Sequence, residues 1–394
     1  MISVKEAKEI IINNTAALAP VKMRLANAEG KTLAENVYSL TDIPAFDQSS
    51  MDGYAFSFNE WKSNGALNIK GEIAAGDSFT TQLSTGTATR IFTGAAVPQG
   101  ADTVVMQEKI TIQNNFLTID DKMLVPGSNV RLKGSDIKAG ELAMQENSLL
   151  APAAIGFLAG VGVSEVLVYP YPSISIIVTG NELQLPGNPL QHGQLYESNS
   201  FSLCAALKLM HFTEVQVYRV EDNLDKITKV LDECLQRSDI VFLTGGISVG
   251  DYDFVLQATA KCGVEKLFHK VKQRPGRPLF FGRKENKIVF GLPGNPASVL
   301  TCFYEYAEPA LKKMSNLKSN IKIVHVPLED NFKKPAGLTH FLKGYYDGQT
   351  VKALHAQESY RLSSFAHANC FIKIEEEVTD CQKGELVEIH LLPI

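Results

Sequence analysis

Apolar residues recur along this chain in three successive rhythms. At the start, Val4, Ala7, Ile10, Ile11 and Leu18 fall at helical intervals behind Ser3 and Glu6, which have the spacing of a capping box. A second helical piece is expected over about Ala151 to Ala159, flanked by glycines. Between the two lies a stretch rich in Gly, Thr and short β-prone runs such as ATRIFTG and DTVVMQE. That pattern predicts a β-rich domain inserted between two helical pieces. From Ser173 the rhythm becomes strand and helix in alternation: SISIIVTG, SNSFSLCAALKLM, EVQVYRV, NLDKITKVLDECL, DIVFLTGG, then a helix ending at Cys262 before Gly263. KIVFGLPG and a long helix from about Ala297 to Lys313 complete the series, which predicts a doubly wound α/β sheet. From about Ile321, short strands without a long helix predict a small β-barrel or sandwich. The expected division is 1–44 with 135–170 as an elongated helical segment, 45–134 as the inserted β domain, 171–316 as the α/β domain, and 317–394 as the C-terminal β-barrel domain.

Composition narrows the class. The 394 residues are 45% hydrophobic and 21% charged, with a net charge of -5, so a globular, multidomain chain is expected. General binding to nucleic acid or to anionic membranes needs basic excess, which is missing here. The N-terminus MISVKEAKEI lacks the apolar core of a signal peptide, and a soluble, cytoplasmic protein is expected. The longest uncharged stretch, Asn147 to Ser164, carries Pro152, Gly156, Gly160 and Gly162 and predicts a buried helix rather than a membrane span. Six scattered cysteines without a C-x-x-C pair read as small buried hydrophobes in a reducing compartment. His192, His269 and His367 show no metal-ligand spacing.

In open α/β sheets, ligands bind beyond the carboxyl ends of the strands. Four such ends carry polar or Gly-rich sequence: TGNEL from Thr179, RVEDN from Arg219, TGGISVGDYD from Thr244 and LPGNPAS from Leu292. TGGISVGDYD, with Gly245, Gly246, Ser248 and Gly250, offers consecutive backbone N–H groups that suit a phosphate; a plain turn with an N-capping aspartate is the other reading. Glu182, Asp222 and Asp253 could together hold Mg²⁺ against phosphate oxygens, or stand apart as solvated carboxylates. HKVKQRPGRP gathers Lys270, Lys272, Arg274 and Arg277, and a cationic loop at this edge would neutralise an anionic ligand. Pro293, Asn295, Pro296 and Ser298 form a rigid turn expected to aim helix N–H groups at an anion. Far away in sequence, IPAFDQSSMDGYAF supplies Asp52, a carboxylate for a metal or a reacting oxygen, with Gly53 permitting a turn.

IPAFDQSSMDGYAF, RIFTGAAVPQGADTVVMQE, VRLKGSDIKAGE, TGNELQLPG, TGGISVGDYDF, RPGRPLFFG and GLPGNPAS occur in this order over nearly the whole chain. Together they resemble the molybdopterin molybdenumtransferase family, which is also similar to one domain of the scaffold gephyrin. The resemblance implies an elongated homodimer that takes adenylylated molybdopterin and molybdate, depends on Mg²⁺, releases AMP and leaves the molybdenum cofactor. It implies a dimerisation role for the helical segment and transient contacts with other proteins of the cofactor pathway. It implies that Asp52 and Thr93 take part in the reaction and that, in a dimer, they complete the partner's cleft. Glu182, Asp222 and Asp253 match acidic residues of the α/β cleft. Lys270, Arg274, Arg277, Pro293, Pro296 and Ser298 match its anion-binding wall, and Lys343 and Ser364 match positions associated with molybdate; Thr179 and Asn295 are expected to bind substrate beside that wall. Two departures stand out: RPGRP where the family often has KPGKP, and Lys343 where Arg is common. Lysine cannot make a bidentate fork to an oxyanion. A pterin-binding scaffold without activity and a molybdopterin adenylyltransferase are the alternatives; molybdate-dependent AMP release separates the first, and ATP turnover to pyrophosphate the second.

Overall fold

Near-continuous apolar runs suit strands covered on both faces. Ile174–Thr179 (β1), Ile240–Thr244 (β3) and Lys287–Leu292 (β6) are such runs, and they form the parallel centre of a six-stranded sheet. The structure is a computed structural model, described for residues 1–77, 82–245, 254–318 and 322–393. The chain divides into two compact units, the larger comprising Met1–Val21, Gly30–Thr32 and Tyr169–Ile394, the smaller Lys22–Glu29 and Leu33–Val168.

In the larger unit, β2 (Val215–Val220), β4 (Glu265–Phe268) and β5 (Phe280–Lys284) complete the order β2-β1-β3-β6-β5-β4. The first four strands are parallel, β5 runs antiparallel to β6, and β4 runs antiparallel to β5. Alternation sends Ile174, Ile176 and Val178 to one face, where they meet helices α2 (Asn199–Leu209) and α5 (Pro296–Cys302). Ile177, Val241 and Leu243 face the other way, against α3 (Leu224–Arg237) and α4 (Phe254–Lys261). Helices on both faces make the sheet doubly wound, as its rhythm predicts. Each fully buried Ile, Leu or Phe here contributes about 1.5–3 kcal/mol of burial.

The first helix, α1 (Val4–Asn13), carries its capping box at Ser3 and Glu6. It belongs to this unit rather than to the segment expected over 1–44 and 135–170. Val4, Ala7 and Ile11 join the core that holds α6 (Glu308–Met314), which gives the helix its packing partner. The long helix expected from Ala297 is interrupted by a π-helical turn at Phe303–Ala307, and this turn brings Glu305 into the core at 1% exposure. There Glu305 meets Lys8 of α1 at 2.5 Å and His390 of the last strand at 2.7 Å. Burial pushes the Glu305 carboxyl up, but Lys8 and His390 outweigh it and hold the group below its ordinary range.

The C-terminal strands are β7 (Ile323–Pro327), β8 (Thr339–Tyr346), β9 (Val351–Ala353), β10 (Cys370–Ile374) and β11 (Leu386–Leu391). The ladder runs β8-β10-β11-β7, with β9 on the outer side of β8. A bridge from Leu328, just past β7, to Val351 of β9 links the two ends of this ladder. Val326, Leu342, Ile372 and Ile389 fill one core between these strands.

The smaller unit holds a six-stranded sheet in the order Thr103–Met106, Gly53–Phe56, Thr87–Ile91, Ala66–Ile73, Phe116–Ile119, Ile110–Gln113, within the stretch expected to be β-rich. The flanking residues are less helical than expected. Between them they have one α-helix, Pro152–Gly160, while Val37–Tyr38 pairs with Leu142–Met144. Nor is that helix buried: Leu158 alone is fully covered, and apolar side chains nearby such as Leu40 and Leu149 are exposed. A single face anchors it to its core, leaving the rest of an uncharged helix open. Five cysteines are buried, Cys204 is half-buried, and none among the described residues forms a disulfide.

Candidate active site

The carboxyl ends of β1, β2, β3 and β6 lie side by side, so Thr179, Val220, Thr244 and Leu292 mark one edge of the sheet. The chain leaves β1 for β2 on one side and β3 on the other, and this reversal opens a crevice. Gly245, directly after β3, has φ +86°, and a Cβ there would sit 2.1 Å from the Thr179 carbonyl oxygen. Only glycine lets the two strand ends approach so closely. Gly246, Ser248, Gly250 and Asp253 lie outside the described residues.

Buried polar atoms normally find hydrogen-bond partners. Three at this edge have none among the described residues: Thr179 Oγ1, Asn199 Oδ1 and Asp222 Oδ1. Asn199, 9% exposed, opens α2. Its Nδ2 donates to Thr244 Oγ1 and to the Gly294 carbonyl, both at 2.9 Å. A carbonyl only accepts, so the amide orientation is settled and Oδ1 is the atom left over. Sequence reasoning missed this residue, because SNS reads as a helix cap. The available signal was redundancy: Ser198 already stands at the cap, although its side chain makes no cap bond.

A cleft of about 540 Å³ borders the ends of β1 and β2, lined by Val178, Gly180, Asn181, Glu197, Arg219 and Glu221. Glu197 is fixed by the Ser200 N–H at 2.7 Å and the Ser200 hydroxyl at 2.5 Å. Asn181 Oδ1 accepts from the Asp222 N–H at 3.1 Å, which ties the Glu182 loop to the Asp222 loop. Among the described residues no three His, Cys, Asp or Glu side chains are grouped to hold a metal. The orphaned Asp222 oxygen suits a cation all the same.

The basic loop is held from beneath. Gln273 is buried, donates to the Gly276 carbonyl at 3.0 Å and accepts from the Tyr306 hydroxyl. Arg274 and Arg277 on either side of it are exposed, and Lys270 is half-buried. The LPGNP turn behaves differently from expectation. Pro296 has no N–H, the Ala297 N–H donates to the Ser359 carbonyl at 3.1 Å, and Asn295 Nδ2 donates to Ser359 Oγ at 2.9 Å. A neighbouring loop therefore occupies the first N–H expected to face an anion. Ser298 is buried, and the Pro293 carbonyl faces Thr244 Oγ1 at 3.5 Å.

In the smaller unit, Asp52 Oδ1 accepts from both the N–H and the hydroxyl of Thr93 at 2.8 Å. These two bonds, with a lesser pull from Arg90, hold its carboxyl below the usual range, so it is ionised at neutral pH. Gly53 opens a strand instead of a turn, and it is required there because a Cβ would meet the Val105 carbonyl oxygen at 1.8 Å.

Lys343 and Ser364 both donate to the Ala356 carbonyl. Lys343 Nζ donates to the carbonyls of Ala356 at 2.7 Å, Arg361 at 3.0 Å and Glu358 at 3.4 Å. Ser364 Oγ donates to Ala356 O at 2.8 Å. Three acceptors use the three donors of an ammonium, so Lys343 staples this loop. Burial lowers its pKa.

Comparison with known proteins agrees with this layout. Residues 2–162 match the MoeA N-terminal region (domain I and II), 175–313 a probable molybdopterin binding domain, and 325–392 the MoeA C-terminal region (domain IV). The molybdopterin molybdenumtransferase of Haemophilus influenzae is 34% identical over 381 residues, covering 94% of each chain. That of Staphylococcus aureus strain Mu50 is 32% identical, covering 99% of this chain and 95% of its own. The crystal structure of a molybdopterin biosynthesis MoeA protein from Pyrococcus horikoshii OT3 superposes with a TM-score of 0.78 at 28% identity, covering 99% of this chain and all of that one. The chain belongs to the molybdopterin molybdenumtransferase family and has its MoeA domain order.

Proposed function

We propose that this protein inserts molybdate into adenylylated molybdopterin, releasing AMP. The observation that carries the reading is the cluster of unsatisfied buried polar atoms at the strand ends, Thr179 Oγ1, Asn199 Oδ1 and Asp222 Oδ1. Unpaired buried groups cost about 1–3 kcal/mol each, and a substrate that supplies partners recovers that cost. Lys270, Arg274 and Arg277 neutralise the phosphoanhydride, and the sequence run from Gly245 through Gly246, Ser248 and Gly250 is the candidate phosphate loop. Pro293, Asn295, Pro296 and Ser298 shape the opposite wall. Mg²⁺ held by Glu182, Asp222 and Asp253 would supply positive charge at the scissile phosphoanhydride. Asp52, kept ionised by Thr93, is a carboxylate available to a metal or a reacting oxygen. Lys343 and Ser364 support molybdate capture by fixing the loop at Ala356 and Arg361. The C-terminal ladder, joined through Leu328 and Val351, acts as a small barrel.

The protein works as a homodimer. The uncharged, largely exposed helix Pro152–Gly160 and exposed Leu40 and Leu149 offer an apolar face for a second copy. Sedimentation showing only monomer at micromolar concentration would remove this part.

The direct test is AMP release from adenylylated molybdopterin with Mg²⁺, with and without molybdate. The expected outcome is release that requires molybdate and falls at least about 100-fold in Asp52→Ala, in keeping with loss of a positioned acid–base group. Tight pterin binding without release would identify a carrier or scaffold instead.

A further inference from the structure

The basic loop is supported differently at its legs and at its bend. The legs are held by main chain. Residues Gln273–Arg274 run parallel to the start of β8, with Arg274 the register partner of His340. On the other leg, the N–H groups of Val271 and Leu279 both donate to the Arg277 carbonyl, at 3.0 and 3.1 Å. The bend at Gly276 is held by side chains. Its carbonyl accepts from Gln273 Nε2 at 3.0 Å and from the Cys302 thiol at 3.6 Å. Gly276 is buried while Arg274 and Arg277 are exposed, so fixing the bend aims the two guanidiniums.

Gln273 is the centre of this support. It is 1% exposed, and its amide nitrogen also donates to Cys302 Sγ at 3.5 Å. A carbonyl only accepts, so the nitrogen must face Gly276 and Oε1 must face the other way. There Oε1 meets the Tyr306 hydroxyl, which donates to it. Tyr306 is equally buried and comes from the π-helical turn, where its neighbour Glu305 is tied to Lys8 and His390. Burial pushes the tyrosine hydroxyl well above its ordinary range and pushes the Cys302 thiol up, so both keep their protons at neutral pH and remain donors. A chain of bonds therefore runs from Tyr306 through one amide to the bend at Gly276. Without the hydroxyl, Oε1 would be a buried acceptor left alone. The Cys302 thiol, which serves Gly276, would become its competing partner, and the bend would lose its hold.

We propose that Tyr306 and Gln273 are positioning residues for the reaction: the tyrosine hydroxyl locks the glutamine amide, and the amide fixes the bend so that Arg274 and Arg277 meet the substrate's phosphoanhydride together. Both residues lie beneath the loop and act through it. A loop already in its bound shape takes up a ligand without the entropic cost of ordering, so loss of the lock is felt chiefly in binding. The identity of that substrate rests on the proposed function.

The experiment is steady-state AMP release from adenylylated molybdopterin, with Mg²⁺ and molybdate, by the full chain and by Tyr306→Phe, Gln273→Met and the two combined. Tyr306→Phe removes only the hydroxyl, and Gln273→Met keeps the length of the side chain. Each single variant should raise KM about tenfold, with kcat within about twofold of the parent and melting within a few degrees of it. The double variant should be no worse than Gln273→Met, because the hydroxyl acts through the amide. Calorimetric titration with sodium pyrophosphate, which has the same linkage, should weaken about tenfold in the same variants, with the same lack of additivity. Variants that melt lower but keep both KM and pyrophosphate affinity would show ordinary core packing, and the proposal falls. Additive losses in the double variant also overturn it, since Tyr306 would then act by another route. If the parent releases no AMP, the proposed function fails and the pyrophosphate titration alone decides the positioning role; a parent that binds no pyrophosphate decides against it.

Discussion

Two polar regions of the larger unit are built on opposite terms. At the carboxyl edge of the sheet, Thr179, Asn199 and Asp222 each bury an oxygen without a partner among the described residues. In the C-terminal strands, Lys343 and Lys334 bury ammonium groups surrounded by carbonyls. The first region holds hydrogen-bonding capacity in reserve; the second has spent it on its own loops. Residue type alone does not separate the two cases. A lysine at a position associated with oxyanions acts here as a staple, while a threonine and an asparagine that look ordinary are open to a ligand.

Exchanging side chains tests the contrast. The largest expected effect on stability is at Lys343. Lys343→Met keeps the stem but removes the donors for three carbonyls, and should cost about 2–3 kcal/mol in denaturant unfolding. A loss below about 0.5 kcal/mol would mean that the ammonium is replaceable and the staple is not structural. Thr179→Val should move the other way and by less. Replacing an unpaired buried hydroxyl with a methyl of the same shape should leave stability unchanged or raise it by up to about 1 kcal/mol. Substrate binding should weaken about tenfold in the same variant. Marked destabilisation would show that the hydroxyl already has a partner, and the contrast would collapse at that residue.

Much of the fold was legible because it follows from periodicity. The alternation from Ser173 onwards marked the parallel strands, and the same alternation divides Ile176 from Ile177 between two cores. The antiparallel edge was not foreseen, since Phe280 and Phe281 looked like the tail of the RPGRP motif. The first helix was found, but not its unit: its partner α6 lies some 300 residues on, and no local pattern reports that contact. The site was legible at the level of strand ends. Asn199 and the fate of Lys343 were not, because each depends on carbonyls of irregular loops, and those carry no sequence signature. Gly53 was noticed for the wrong reason; what demands it is the Val105 oxygen, which only the folded sheet brings near.

The π-helical turn ties helix α1 and strand β11 to one buried carboxylate. Glu305 pairs with Lys8 of the first and with the His390 ring of the second. A straight helix through Phe303–Ala307 would turn this side chain away, so the extra residue in the turn acts as a clamp between two segments far apart in sequence.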